Sequence, residues 1–201
     1  MNSTKIKICG LTRDEDIEAV NNTMPDYIGF VFARSQRRIT FRQAERLKSR
    51  LNSCIRAVGV FVNEKQDFIT ELTEKGIIDV IQLHGDENED YLKRLKNITE
   101  KPIIKAVSVK DKNSITAWKE TIADFLLLDN GSGGTGRRFD WSLIGNCGKP
   151  VFLAGGINED NINDAKKINP YCIDISSGAE TNRLKDAEKI KLLIQKVRER
   201  I

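Results

Sequence analysis

Eight short apolar runs, separated by stretches of helical periodicity, constrain what this chain can fold into more than any other feature. They are IKIC (6–9), YIGFVF (27–32), RAVGVF (56–61), VIQL (80–83), PIIKAV (102–107), FLLLD (125–129), VFLA (151–154) and CIDIS (172–176). Most are nearly continuous apolar segments, the pattern of parallel strands covered by helices. The intervening segments carry helix starts: Thr12 with Glu15, and Thr40 with Gln43, fit capping boxes in which side chains satisfy orphan backbone N–H groups. Apolar faces follow at Ala44, Leu47 and Leu51, at Ile162, Ala165 and Ile168, and at Ala187, Ile190, Leu193 and Val197. The pattern is weakest from Asp111 to Thr121 and in the short turn after Trp141.

Eight strands alternating with helices predict an α/β fold, a (β/α)₈ (TIM) barrel. The 201 residues sit at the short end of the roughly 200–400 typical of that architecture, so the loops must be tight. An open doubly wound sheet would advertise a GxGxxG turn after its first strand, and CGLTRD offers none. With no linker, repeat or low-complexity segment, residues 1–201 are expected to form one domain. No apolar run approaches the roughly 18 residues that span a bilayer, and MNSTKIKI lacks a secretory signal's apolar core, so a cytoplasmic protein without membrane contact is expected. Cys9, Cys54, Cys147 and Cys172 are widely spaced, which suggests free thiols rather than disulfides or a metal site. Basic residues exceed acidic ones by 33 − 29 = 4, interspersed and without a basic stripe interleaved with aromatics. That balance suits an anionic ligand and gives no support to a nucleic-acid partner.

In such a barrel, chemistry is built at the C-terminal ends of strands. Cys9, the RSQRR loop, Asn63, His84, Asp129, Gly155 with Gly156, and Ser177 with Gly178 all fall there. The loops LAGGI and DISSGAE follow strands 7 and 8, where glycines let backbone N–H groups approach a phosphate. A lone glycine pair serves a tight turn equally well; the pairing of two such loops at these positions favours the phosphate. The single residues are open in the same way. A strand-end cysteine can be a small buried hydrophobe, Asp129 with Asn130 can start a turn, and Arg34, Arg37 and Arg38 can be solvated surface groups.

The strings KICGLT, GFVFARSQRRIT, VGVFVN, QLHGDE, LLLDN with GGTGRRFDW, AGGI and DISSGAE, in this order over nearly the whole chain, closely resemble the phosphoribosylanthranilate isomerases of tryptophan biosynthesis. The resemblance implies an Amadori rearrangement of N-(5-phosphoribosyl)anthranilate by general acid–base catalysis, with a small phosphorylated substrate, no cofactor and no metal. It implies Cys9 as the base that takes the C2 proton, which a thiol does only as thiolate, and Asp129 as the acid that opens the furanose. An Asp in that role must hold a proton, as burial or a nearby negative charge would favour. Arg37 resembles the group that grips the anthranilate carboxylate, and Gly155, Gly156, Ser177 and Gly178 the phosphate cradle. His84, the only histidine, is placed as a substrate-binding rim residue, although its ordinary pKa makes it a competitor for acid–base work. Asp174 is open between supporting the rim and supporting the acid–base pair.

The loop GSGGTGRRFDW resembles a lid. It departs from the family in carrying Arg137 and Arg138, SQRR departs from the commoner loop form, and Ala179 stands where Val is usual. Family resemblance further implies a monomer. Two rivals share the barrel: a ribose-phosphate binder without turnover, against which Cys9, Arg37 and Asp129 together argue, and an isomerase of histidine biosynthesis, which would use two aspartates.

Overall fold

The computed structural model describes residues 4–131 and 138–199. Eight parallel strands close into a barrel in sequence order, the last pairing with the first. They are β1 (Lys5–Cys9), β2 (Tyr27–Val31), β3 (Arg56–Phe61), β4 (Val80–Leu83), β5 (Ile103–Ser108), β6 (Phe125–Asp129), β7 (Val151–Leu153) and β8 (Cys172–Ile175). Helices α1 (Asp14–Thr23), α2 (Phe41–Arg50), α3 (Gln66–Glu74), α4 (Glu89–Lys96) and the single-turn α5 (Lys112–Thr116) follow the first five strands in turn. A 3₁₀ turn (Trp141–Leu143) follows β6, α6 (Ile162–Lys167) follows β7, and α7 (Ala187–Arg198) closes the ring after a small hairpin of β9 (Glu180–Thr181) and β10 (Leu184–Lys185).

Strand side chains alternate between two apolar environments. Ile6, Ile8, Ile28, Phe30, Ile81 and Leu126 join the large core between sheet and helices, while Tyr27, Val58, Val80, Ile104, Leu127, Phe152 and Cys172 form a separate cluster inside the barrel. That inner plug fills the lower half, as packed layers do in this architecture. Above it the inward positions turn polar: Lys7, Cys9, Gln82, Asp129 and Asp174 are all buried.

The helix starts differ in one place from the expected pattern. Thr40 and Gln43 form their reciprocal box, with Gln43 N donating to Thr40 Oγ1 and Thr40 N donating to Gln43 Oε1. Thr12 and Glu15 do not, because the Asp16 carboxylate takes the amides of Thr12 and Arg13 (2.8 and 3.0 Å) and also binds the Arg13 guanidinium. In α7 the buried stripe is Ile190, Leu193, Ile194 and Val197, leaving Ala187 exposed at the first turn. The thin periodicity from Asp111 onward yields only α5, started by Ser114 N donating to Asp111 Oδ1. No helix among the described residues is long and apolar enough to cross a membrane.

Candidate active site

A cavity of about 350 Å³ opens where the strands end at their C-termini, within the range of small-molecule sites. Cys9, Arg37, His84, Asp129, Gly155, Gly156 and Ser177 all line it, so most of the rim expected from sequence bounds one cavity. Gly178 does not face the cavity. A Cβ there would lie 2.0 Å from the Ile157 carbonyl oxygen, so this glycine lets the loops after β7 and β8 pack against each other. Asn63 also stands aside, its Oδ1 accepting from Asp86 N and its own N donating to Glu87. A larger depression of about 800 Å³ lies at the opposite, N-terminal end of the barrel, among Thr4, Lys5, Asn146, Lys149 and Tyr171, away from every strand-end residue above.

Two glycines explain how the first strand can end in a thiol. Gly29 lies beside Cys9 in the β1–β2 register, and a Cβ there would come within 2.5 Å of the sulfur. Gly10, with φ +87°, turns the chain in the left-handed region that favours glycine, and a Cβ on it would meet Arg37 Cδ at 2.4 Å. The turn after β1 thus gives Arg37 a path across it.

Arg37 is held by a carboxylate that sequence reasoning passed over. Its Nε and Nη2 donate to Glu180 Oε1 and Oε2 at 2.6 and 2.8 Å, the parallel fork in which guanidinium and carboxylate match best. Glu180 also accepts from Lys185 Nζ at 2.5 Å. These bonds raise the Arg37 pKa, burial opposing; at Glu180, burial works upward but Arg37 and Lys185 prevail and its pKa is lowered. Of the five guanidinium N–H groups, two go to Glu180 and three remain for a second acceptor.

A polar chain crosses the barrel below the cavity. Lys7 Nζ, fully buried, donates to Asp174 Oδ2 and Gln82 Oε1, both at 2.8 Å. Because an ammonium only donates, it fixes the Gln82 amide with its oxygen toward Lys7 and its Nε2 toward His84 Nδ1, 2.9 Å away. Nδ1 must therefore accept, and the imidazole proton sits on Nε2, which lies 3.6 Å from Asp129 Oδ2. Asp129 Oδ1 accepts from the Asn130 amide at 2.7 Å. Burial works against the Lys7 charge, yet Asp174 and Cys9 outweigh it and its pKa is raised. Cys9 is pushed up by burial, with Lys7 and Lys185 pulling the thiol back down and Asp174 adding to the rise.

On the phosphate side, Gly155 and Gly156 have φ of +87° and +66°, conformations that aim successive amides outward. Ser176 and Ser177 face them across the same wall, and Ser176 Oγ donates to the Cys9 carbonyl at 3.1 Å. The expected lid lies largely outside the described residues: 132–137, including Arg137, are not described, while Gly131 packs against Ser108 and Arg138 lies over the Trp141 ring. Among the described residues no group of three or more His, Cys, Asp or Glu could hold a metal ion. Lys7, Gln82, Ser176, Glu180 and Lys185 are site residues not singled out from the sequence. For Lys7 and Gln82 the signal is alternation: in KIKIC, VIQLH and CIDIS every second residue is polar or a thiol, except at the first position of VIQLH, and those residues share one face.

Comparison with known proteins agrees with this geometry. The family model described as N-(5'-phosphoribosyl)anthranilate (PRA) isomerase matches residues 6–196. The N-(5'-phosphoribosyl)anthranilate isomerase of Endomicrobium trichonymphae is 54% identical over 191 residues, covering 92% of this chain and 94% of that one. The enzyme of the same name from Thermoanaerobacter sp. (strain X514) is 45% identical over 201 residues, covering 96% and 98%. Among solved structures, the phosphoribosyl anthranilate isomerase of Thermus thermophilus superposes with a TM-score of 0.88 at 31% identity, covering 96% of this chain and 98% of that one. A phosphoribosyl anthranilate isomerase in complex with reduced 1-(o-carboxyphenylamino)-1-deoxyribulose 5-phosphate superposes at 0.84, with 31% identity and the same coverage.

Proposed function

The chain belongs to the N-(5'-phosphoribosyl)anthranilate isomerase family, and on that premise we propose how its residues divide the reaction. The activity is the rearrangement of N-(5'-phosphoribosyl)anthranilate to 1-(2-carboxyphenylamino)-1-deoxyribulose 5-phosphate, an aldose-to-ketose isomerisation in tryptophan biosynthesis. It moves protons without net oxidation or group transfer, so one acid and one base suffice.

Asp129 protonates the furanose ring oxygen, the C1–O bond breaks and the nitrogen lone pair forms a protonated imine at C1. Cys9, as thiolate, then takes the proton from C2; the C–H pair forms the C1=C2 bond and the C1=N pair moves to nitrogen. Ketonisation of the resulting enolamine gives the product. Arg37, steadied by Glu180, offers its remaining N–H groups to the anthranilate carboxylate, which brings that negative charge to the rim shared with His84 and Asp129. The amides of Gly155, Gly156 and Ser177 receive the phosphate, and Gly178 lets the two phosphate loops meet. The observation that carries this reading is convergence: Cys9 from β1 and Asp129 from β6 face one cavity whose β7–β8 wall suits a phosphate and whose β2 side carries Arg37.

Residues 1–201 act in this reading as one domain, a cytoplasmic monomer. Among the described residues the exposed large apolar side chains, Val62, Ile98, Ile122, Leu184 and Leu192, come from separate segments of the chain. The Thermotoga maritima enzyme is described as dimeric, so sedimentation velocity is the check on this chain. The activity test follows loss of anthranilate-substrate fluorescence with the parent, Cys9→Ala and Asp129→Asn. Turnover by the parent with losses of at least a hundredfold in both variants is expected. A folded parent without turnover would leave a binding protein, and undiminished variants would place the acid–base pair elsewhere.

A further inference from the structure

We propose that Asp174 binds substrate directly: its Oδ1 accepts a hydrogen bond from the hydroxyl on C2, the carbon that Cys9 deprotonates. The inference rests on the role assigned to Cys9 above.

Asp174 lines the cavity and is 92% buried, since only 8% of its side chain is exposed. Its two oxygens are unequal. Oδ2 is fixed by Lys7 Nζ at 2.8 Å, whereas Oδ1 is buried and has no hydrogen-bond partner among the described residues. A buried carboxylate oxygen left without a donor is costly, and native proteins leave few such groups without a reason. Paired with a buried ammonium, Asp174 is an acceptor only, so its missing partner must bring an O–H or N–H. This excludes the substrate's phosphate and carboxylate and leaves its hydroxyls and its aniline nitrogen.

Position selects among those. Lys7 and Asp174 are neighbours in the β1–β8 register, and Cys9 is the next inward residue of β1 above Lys7. Ser176, two residues beyond Asp174 and just past the end of β8, reaches the Cys9 carbonyl, so Asp174 lies one layer below the thiol on the adjoining strand. The aniline nitrogen is ortho to the carboxylate that Arg37 takes at the rim. With the C2 hydrogen directed at Cys9, the hydroxyl on the same carbon is the donor nearest Asp174. As the C2 proton leaves, that hydroxyl becomes an enol, a stronger donor, so the bond to a fixed carboxylate tightens toward the transition state. The hydroxyl keeps its own proton through this step and gives it up only when the enolamine ketonises.

The test uses the 2-alcohol obtained by reducing the product ketone, with its C2-deoxy and C2-fluoro analogues, and measures affinity by ligand fluorescence. The parent is expected to bind the alcohol about 10- to 100-fold more tightly than either analogue, as for a hydrogen bond to a charged group; fluorine accepts but cannot donate. Asp174→Asn, whose oxygen can still accept from Lys7 while its amide turns a donor to the cavity, is expected to lose the preference for the alcohol. A parent indifferent to the hydroxyl, a fluoro analogue as tight as the alcohol, or a variant that keeps the preference would overturn the proposal. The parent-only comparison with fluorine decides the matter if the variant does not fold. Turnover of N-(5'-phosphoribosyl)anthranilate by the parent and its loss in Cys9→Ala, run alongside, test the underlying reading. Their failure removes both claims, whereas turnover with indifference to the hydroxyl removes this one alone.

Discussion

Lys7→Met tests whether the buried pair at the floor of the site is held by mutual charge compensation. Methionine keeps the length of the side chain and removes the ammonium, which leaves the Asp174 carboxylate without its counterion. Lys7 is 0% and Asp174 8% exposed, and removing one member of a buried pair costs about 3–5 kcal/mol. Because the Asp174 side chain lines the cavity and keeps 8% of its surface exposed, the orphaned carboxylate retains a route to water, which favours the lower end, about 3 kcal/mol. The lost bond to Gln82 adds about 1 kcal/mol. A total of about 4 kcal/mol in a chain of this size lowers the thermal midpoint by roughly 8–16 °C, at about 2–4 °C per kcal/mol. Urea denaturation followed by circular dichroism measures the free energy and a thermal scan the midpoint. Lys7→Met combined with Asp174→Leu removes both ions and is expected to recover most of the stability, since an apolar pair is commonly as stable as a buried ionic one. It should not recover turnover, because Gln82, and through it the His84 tautomer, has lost its anchor. A loss below about 1 kcal/mol in the single variant, or a double variant no more stable than the single, would refute the compensation argument.

Two further outcomes follow from the same geometry. Burial raises the Cys9 pKa despite Lys7 and Lys185, so the thiolate grows in above the ordinary thiol range near 8.5; kcat/KM should still be climbing with pH there, and a profile flat from about pH 7 upward would show that another group is the base. Gly10→Ala places a Cβ at φ +87° and 2.4 Å from Arg37 Cδ; it should destabilise the chain by about 1–3 kcal/mol and raise KM more than it lowers kcat, which steady-state kinetics separates.

The barrel was legible because its strands announce themselves locally. RAVGVF, VIQL and FLLLD coincide with β3, β4 and β6, and helices join the strands in the order the sequence lays them out. The strand-end residues were legible for the same reason: once the strands are placed, the fold brings their C-terminal ends to one mouth. What escaped was the second row. Lys7 and Gln82 read as interruptions of apolar runs, since a half-buried strand ordinarily turns its polar side to solvent. Here the outer face is covered by helices, so the alternation is inverted, with apolar residues outward and the polar ones meeting inside.

Glu180 was hidden for a different reason. Its bond to Arg37 joins residues 143 positions apart, and it exists only because the β9–β10 hairpin folds the chain back after β8. No local pattern encodes such a pairing. Yet its chemical need was implicit in the RSQRR loop. A guanidinium on a flexible loop is a poor clamp, because every rotamer that it gives up on binding weakens the hold on the ligand. Glu180 fixes two of its N–H groups before substrate arrives, and Gly10 leaves the path along which the side chain lies. Residues from the β1 turn, the β2 loop and the segment after β8 thus preorganise one arginine. The glycine of KICG and the glutamate of SSGAE are parts of the binding site although neither need touch the ligand.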